Sequence, residues 1–302
     1  VLVGLGVSLY ATAYFQGPRA AHFWPLWLFL LAALNALFLA GDLFNLYVTL
    51  EMIGLAAVAL TALQGGSNAL VGAMRYLLAT LLGSLAYLLG VVLLYHGYGT
   101  VDIALLGERV ADGPAAWMAM GLMLAGLTLK TALFPLHFWL PPAHASAPAA
   151  VSALLSALVI KASFYILLRL WLEVFPGLAS ADGAQLLGLL GVAAVLWCSF
   201  QALQQTRVKL LVAYSTVAQI GYLFLAFPLA ASAGNGAWSA VAYLAFSHAL
   251  AMAALFLAAG IFMQFGGHDR IAGLDRVVQR LPLSAGAFAL AGVSIMGLPP
   301  SG

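Results

Sequence analysis

Charge is what this sequence has least of. Lys and Arg total 11 and Asp and Glu total 9 among 302 residues, so 7% of the chain is charged, against roughly a quarter in soluble domains. The apolar share is 65% and the mean hydropathy is +1.07, which excludes a soluble enzyme and a disordered chain. A formal charge of +2 leaves no basic footprint for phosphates, so nucleic acid is excluded as a partner. Cysteine is nearly missing too. Cys198 stands alone, which rules out a disulfide framework and any Cys-based metal or iron–sulfur site. No Walker loop, dinucleotide fingerprint or Gly-x-Ser-x-Gly elbow occurs in a strand-to-helix setting, so ATP and nicotinamide have no binding machinery here. The chain starts at Val1 inside an apolar run without a basic leader and stops at Gly302 just beyond a Gly-Leu-Pro-Pro. It therefore reads as a piece of a longer protein, with no signal peptide.

What is present is apolar length. A helix needs about 20 apolar residues to cross the hydrocarbon core, and ten segments qualify as candidates: 1–15, 24–40, 43–63, 69–95, 114–134, 148–175, 185–203, 211–230, 239–264 and 282–297. The runs are continuous and rich in Leu, Ala and Gly, unlike the ~10-residue alternating segments of an outer-membrane barrel. Alternating the crossings places Arg19, Arg75, Arg207, Lys209, Arg270, Arg276 and Arg280 on one face, with only Arg109 and Arg169 opposite. The bias of Lys and Arg assigns the first face to the cytoplasm.

Residues 134–144, Phe-Pro-Leu-His-Phe-Trp-Leu-Pro-Pro-Ala-His, interrupt this pattern with three prolines and two histidines. Proline removes a backbone donor and clashes with the preceding turn. At membrane depth such a break must face the interior or a cavity. A second break, Gly297-Leu298-Pro299-Pro300, lies about 165 residues on. Paired broken helices in corresponding positions of two halves point to an inverted-repeat transport fold with its site near the midplane. The expected class is an all-α polytopic membrane protein, an inverted-repeat helix bundle with discontinuous, Pro-broken transmembrane helices. Its parts are a partial leading helix and loop over 1–23, a first repeat over 24–183 with its break at 135–147, and a second repeat over 184–302 truncated at its broken helix.

Three charges sit inside apolar segments. Glu51, Lys130 and Lys161 each cost about 2.5–3.5 kcal/mol at the bilayer centre unless they pair or neutralise. Glu51 is eight residues past Leu43, about 12 Å deep at 1.5 Å per residue, too deep to reach the interface. Lys161 is central in 148–175. Lys130 is ambiguous by position alone: a continuous helix to 134 lets it snorkel, whereas a helix broken beyond it leaves it at mid-membrane. His137 and His144 flank the prolines of the break, and His248 interrupts a long apolar helix. No His-x-x-x-His or Glu-x-x-His spacing supports a metal site, and no metal or other cofactor is expected.

Gly41-Asp42-Leu43-Phe44-Asn45-Leu46-Tyr47-Val48 with Glu51 resembles the antiporter-like membrane subunits of complex I and of Mrp-type cation/proton antiporters. So do Lys130 followed by Phe134 through His144, Val151 through Leu155, Lys161 with Tyr165, Leu211 through Gly221, Ser247-His248-Ala249 and Gly297 through Pro300. Gly-Asp-Leu-Phe-Asn-Leu-Tyr leans toward the Mrp-type branch and related hydrogenase-linked complexes. The resemblance implies a proton path through Glu51, Lys130 and Lys161, with His248 matching a His on the helix before the second break; His137 and His144, with water at the first break, are read as the link in the relay. It also implies other membrane subunits as partners, an inner-membrane location of bacterial type, and protons, with Na⁺ or K⁺ as candidate coupled ions. In a redox-driven complex this chain would be a translocase component without a redox centre of its own. Two departures stand out: Met252 occupies a position where the family commonly carries Lys, and Arg207 one where it carries Asp. Rival readings are a haem- or quinone-binding subunit and a non-conducting structural subunit.

Overall fold

A computed structural model describes residues 1–298. Pro299 and Pro300 of the expected second break lie outside the described residues. The chain forms α1 (Leu2–Tyr14), α2 (Pro18–Leu39), α3 (Leu43–Ala62), α4 (Ser67–Tyr98), the short α5 (Ile103–Arg109), α6 (Pro114–Lys130), α7 (Leu140–Ser146), α8 (Ala149–Val174), α9 (Ala181–Leu203), α10 (Val208–Ala233), α11 (Asn235–Gly266), the one-turn α12 (Val277–Arg280) and α13 (Pro282–Ile295). Seven of these are long and apolar enough to span a membrane. All ten expected segments are helical, with ends displaced by a few residues. The protein is an all-α, multi-pass membrane protein.

The two halves carry the same local device at opposite ends of the bundle. In the first, Asp42 caps α3 by accepting from the Asn45 amide at 2.7 Å. Two backbone bonds clasp the start of α3 to the segment after α4: Leu43 N–H donates to Val101 and Ile103 N–H to Gly41. In the second, Val208 N–H donates to Asp269 and Ile271 N–H to Thr206, so the start of α10 is clasped to the segment after α11. The helix that leads into each clasp is 32 residues long and ends on a left-handed glycine, Gly99 at φ 68° and Gly267 at φ 71°. Only glycine takes that conformation without steric cost.

Helices pack through glycine where backbones nearly touch. A Cβ on Gly126 of α6 would strike the Gly83 carbonyl of α4, and one on Gly221 of α10 would strike that of Gly191 on α9. Lipid supplies no hydrophobic drive between helices, so such small-residue contacts and their dispersion energy hold the bundle. Arg19, Arg75 and Arg207 gather at one end, with Arg75 and Arg207 on a shared cleft. Asp102, Arg169 and Glu173 share a cleft at the other.

One member of the expected basic face is at the basic end but buried. Lys209 is not an exposed loop charge; it lies on the first turn of α10 with 1% of its surface exposed. The helix begins three residues earlier than the apolar run suggests, because the clasp to Asp269 supplies a partner for the Val208 amide.

Candidate functional site

The site is organised by the break between α6 and α7. The helix stops at Lys130, and residues 131–135 are irregular. Leu136–Trp139 then form a 3₁₀ turn that runs directly into α7. Pro141 and Pro142 therefore do not break a helix, as the sequence pattern suggests. They sit in the first turn of α7, where the missing N–H groups would have had no intrahelical partner anyway. The interruption begins at Thr131, four residues before the expected 135–147, and the chain leaves the helix again at Ala147 and Pro148.

Its freed backbone groups are met internally. Thr131 N–H donates to Leu127, Ala132 N–H to Leu129 and Leu133 N–H to Thr128. The Trp139 indole N–H donates to the Leu129 carbonyl at 2.9 Å while its ring stacks on Tyr76 at 4.5 Å. Ala132 takes a positive φ of 59°, a conformation costing roughly 1–2 kcal/mol for a residue with a Cβ. That turn ends the helix inside the bundle and settles the ambiguity over Lys130, which is buried and does not snorkel.

Glu51 and Lys130 form an ion pair at 2.9 Å, linking α3 to the end of α6 across 79 residues of sequence. Ser84 of α4 stands between them: its hydroxyl donates to Glu51 Oε1 and accepts from Lys130 Nζ. The Thr80 carbonyl accepts a further bond from Lys130 at 3.4 Å. The three donors of the ammonium thus meet a carboxylate, a hydroxyl and a carbonyl, which is what makes a buried cation tolerable. The Lys130 side chain is 4% exposed and that of Glu51 20%. The Gly83 and Gly126 contact leaves room for this arrangement, since a Cβ on Gly83 would press on the Lys130 stem.

A second group lies between the halves. In α8, residues Leu155–Val159 form a π-helical turn, a feature that loosens the regular ladder. Lys161 Nζ donates to the Ser156 carbonyl at 2.6 Å. The Ser156 hydroxyl meets Thr216 of α10 at 2.9 Å, and Thr216 donates to Met252 Sδ on α11 at 3.4 Å. His144 is fully buried and stacks on Phe256 of α11 at 4.7 Å. His248 is buried as well, and no ring nitrogen of either histidine has a hydrogen-bond partner among the described residues.

The structure thus brings together Glu51 with Lys130, and sets His144 against α11, the helix that carries His248. It leaves His137 apart, half-buried and stacked on Phe134 at 5.6 Å. Sequence reasoning missed Ser84, since a lone serine on an apolar helix carries no signal. It also missed the inward placement of Lys209, whose Nζ donates to the Ala147 carbonyl. A cation next to the Ala-Tyr-Ser stretch was the available clue.

Residues 40–302 match the family described as NADH:quinone oxidoreductase/Mrp antiporter, transmembrane region. The chain belongs to that family. It is 38% identical over 99% of its length to a membrane subunit of the NADH-quinone oxidoreductase of Desulforudis audaxviator, covering 60% of that protein. It is 30% identical over 99% of its length to a Na(+)/H(+) antiporter subunit of Alkalihalophilus pseudofirmus, covering 61%. Its fold matches a chain of the Mrp complex from Dietzia sp. with a TM-score of 0.89 at 29% identity, over 99% of this chain and 56% of that one. The chain spans about three-fifths of the length of these curated relatives. They are membrane subunits of multisubunit assemblies, from both the complex I and the Mrp branch.

Proposed function

We propose that the chain is the proton-carrying part of a subunit in a multisubunit cation/proton antiporter or related redox-driven pump. The observation that carries the reading is the Glu51–Lys130 ion pair at the interrupted end of α6. It is a charge pair of high cost in a bilayer, placed where the helix ladder is open and bridged by a hydroxyl able to donate and accept. Burial disfavours a charged ammonium while Glu51 favours it, so a small displacement of α3 against α6 shifts the balance and releases or captures a proton. The interior amplifies such a change because Coulomb energy scales inversely with the local dielectric.

Lys161 is the next station, reached on the side of His144, and His248 extends the relay into the second repeat. His137 is assigned a place at the margin, where its half-exposed ring meets the break. Met252, where the family commonly carries Lys, accepts a hydroxyl bond and carries no proton, so exit toward the second half runs through other groups. The repeats are taken as 24–183 and 184–302.

The basic end faces the cytoplasm of a bacterial-type inner membrane, in keeping with the bias of Arg. Neighbouring membrane subunits pack along the bundle within the lipid bilayer. Protons are the carried ion, and Na⁺ or K⁺ is the candidate counter-ion, as the name of the antiporter relative suggests for its own complex.

The test is proton flux in inverted vesicles carrying the full-length protein in its complex, with and without Lys130→Ala, while Na⁺ and K⁺ are varied. Flux lost with assembly intact supports the relay, and the cation dependence identifies the coupled ion. Unchanged flux in the variant would mean that the path lies in a neighbouring subunit.

A further inference from the structure

Lys209 plays no part in the relay described above, yet it is the more deeply buried of the two fully buried lysines, at 1% exposure against 5% for Lys130. Its side chain enters from the first turn of α10 at the basic end. Among the described residues its ammonium has one hydrogen-bond partner, the carbonyl of Ala147 at the end of α7. Asp269, whose carbonyl accepts from the neighbouring Val208 amide, has its carboxylate held by Arg207 at 2.5 Å. Lys209 therefore differs from Lys130, which has a carboxylate of its own. A packing role would be served by Leu or Met without the cost of a buried amine.

Lys209 does not itself line the cleft at this end, but its neighbours in sequence do. On the outer side, the flanking residues Arg207 and Leu210 line a cleft of about 590 Å³ together with Arg75, Pro142, Ser146 and Tyr214. On the inner side stands His144, three residues before Ala147, with both ring nitrogens unpartnered among the described residues. Ser152 of α8 donates to the His144 carbonyl and lies one turn before Ser156, whose carbonyl holds Lys161, so a run of contacts leads from Lys209 past the His144 turn to Lys161.

We infer that Lys209 is the loading residue of a second branch, which takes protons from the cleft at the basic end and passes them through His144 to Lys161. The inference rests on the proton-carrying reading above. In the first step a proton from water in the cleft forms an N–H bond on the neutral Lys209 amine. That bond then breaks as a ring nitrogen of His144 gains the proton, and the imidazolium in turn gives it to the Lys161 amine. One positive charge moves inward and no electrons change hands.

The experiment measures proton flux in inverted vesicles carrying the full-length protein in its complex, with Lys209→Arg, Lys209→His and Lys209→Met, and Lys130→Ala in parallel. Arginine keeps a donor for the Ala147 carbonyl but holds its proton at any working pH, whereas histidine can exchange one. Expected is a loss of about 10²-fold or more in the Arg and Met variants, the scale of a positioned proton-transfer group, with flux largely recovered in the His variant. Full flux in the Arg variant while Lys130→Ala is inactive overturns the loading role and leaves the relay standing. Equal loss in all three variants overturns it in favour of a purely positional lysine. If Lys209→Met lowers the amount of assembled complex, the comparison of Arg with His decides. Flux that survives Lys130→Ala defeats the underlying reading instead.

Discussion

The Glu51–Lys130 pair makes a prediction that separates a coupled ion pair from two independent polar residues. At 2.9 Å and an effective dielectric of about 20, the Coulomb attraction is about 6 kcal/mol. Two features reduce what an experiment will read. Ser84 and the Thr80 carbonyl continue to hold the ammonium after Glu51 is neutralised, and the one-fifth exposure of Glu51 screens the pair. Glu51→Gln should therefore destabilise the protein by about 3–5 kcal/mol, the usual cost of stranding one member of a buried pair. Lys130→Met should cost less, because the remaining carboxylate keeps Ser84 and is partly exposed. The double variant should be more stable than Glu51→Gln alone, since the stranded cation is gone. The assay is denaturant unfolding of the full-length protein in bicelles for the wild type, both single variants and the double variant. Single effects that add to within about 0.5 kcal/mol would refute the coupling, and with it the toggle built on it.

Two further outcomes follow from the same geometry. Gly126→Leu forces a side chain into the Gly83 carbonyl; overpacking of this kind costs about 1–3 kcal/mol or more, read as loss of assembled complex on native gels, while Gly121→Leu, where a Cβ meets open space, assembles normally. Lys161→Leu removes an amine whose hydrogen bond goes to a backbone carbonyl of its own helix, so thermal stability in detergent should hold or rise while proton flux falls by about 10²-fold.

Much of the bundle was legible because the bilayer imposes it. Ten apolar runs become ten helical segments, and charge bias separates their ends. The interruption near Pro135 was legible as well, but its extent was not. Pro141 and Pro142 look like breakers in one dimension and act as a helix start once the chain has already turned at Ala132. Glu51 and Lys130 could each be singled out by the cost of burying charge, whereas their pairing across 79 residues depends on how α3, α4 and α6 pack. That packing is set by Gly83 and Gly126, whose importance lies in an absent atom. Lys209 was assigned to the correct end, but its burial was not legible, because only the clasp at Val208 shows that the helix has already begun.

The two clasps differ in sign. The first joins segments through Asp42 and Asp102, the second through Arg207 and Arg270. The two backbone devices lie at opposite ends of the bundle, the basic one beside Arg19 and Arg75 and the acidic one beside Arg169 and Glu173. Each clasp therefore fixes the helices it joins at its own end, independently of the other.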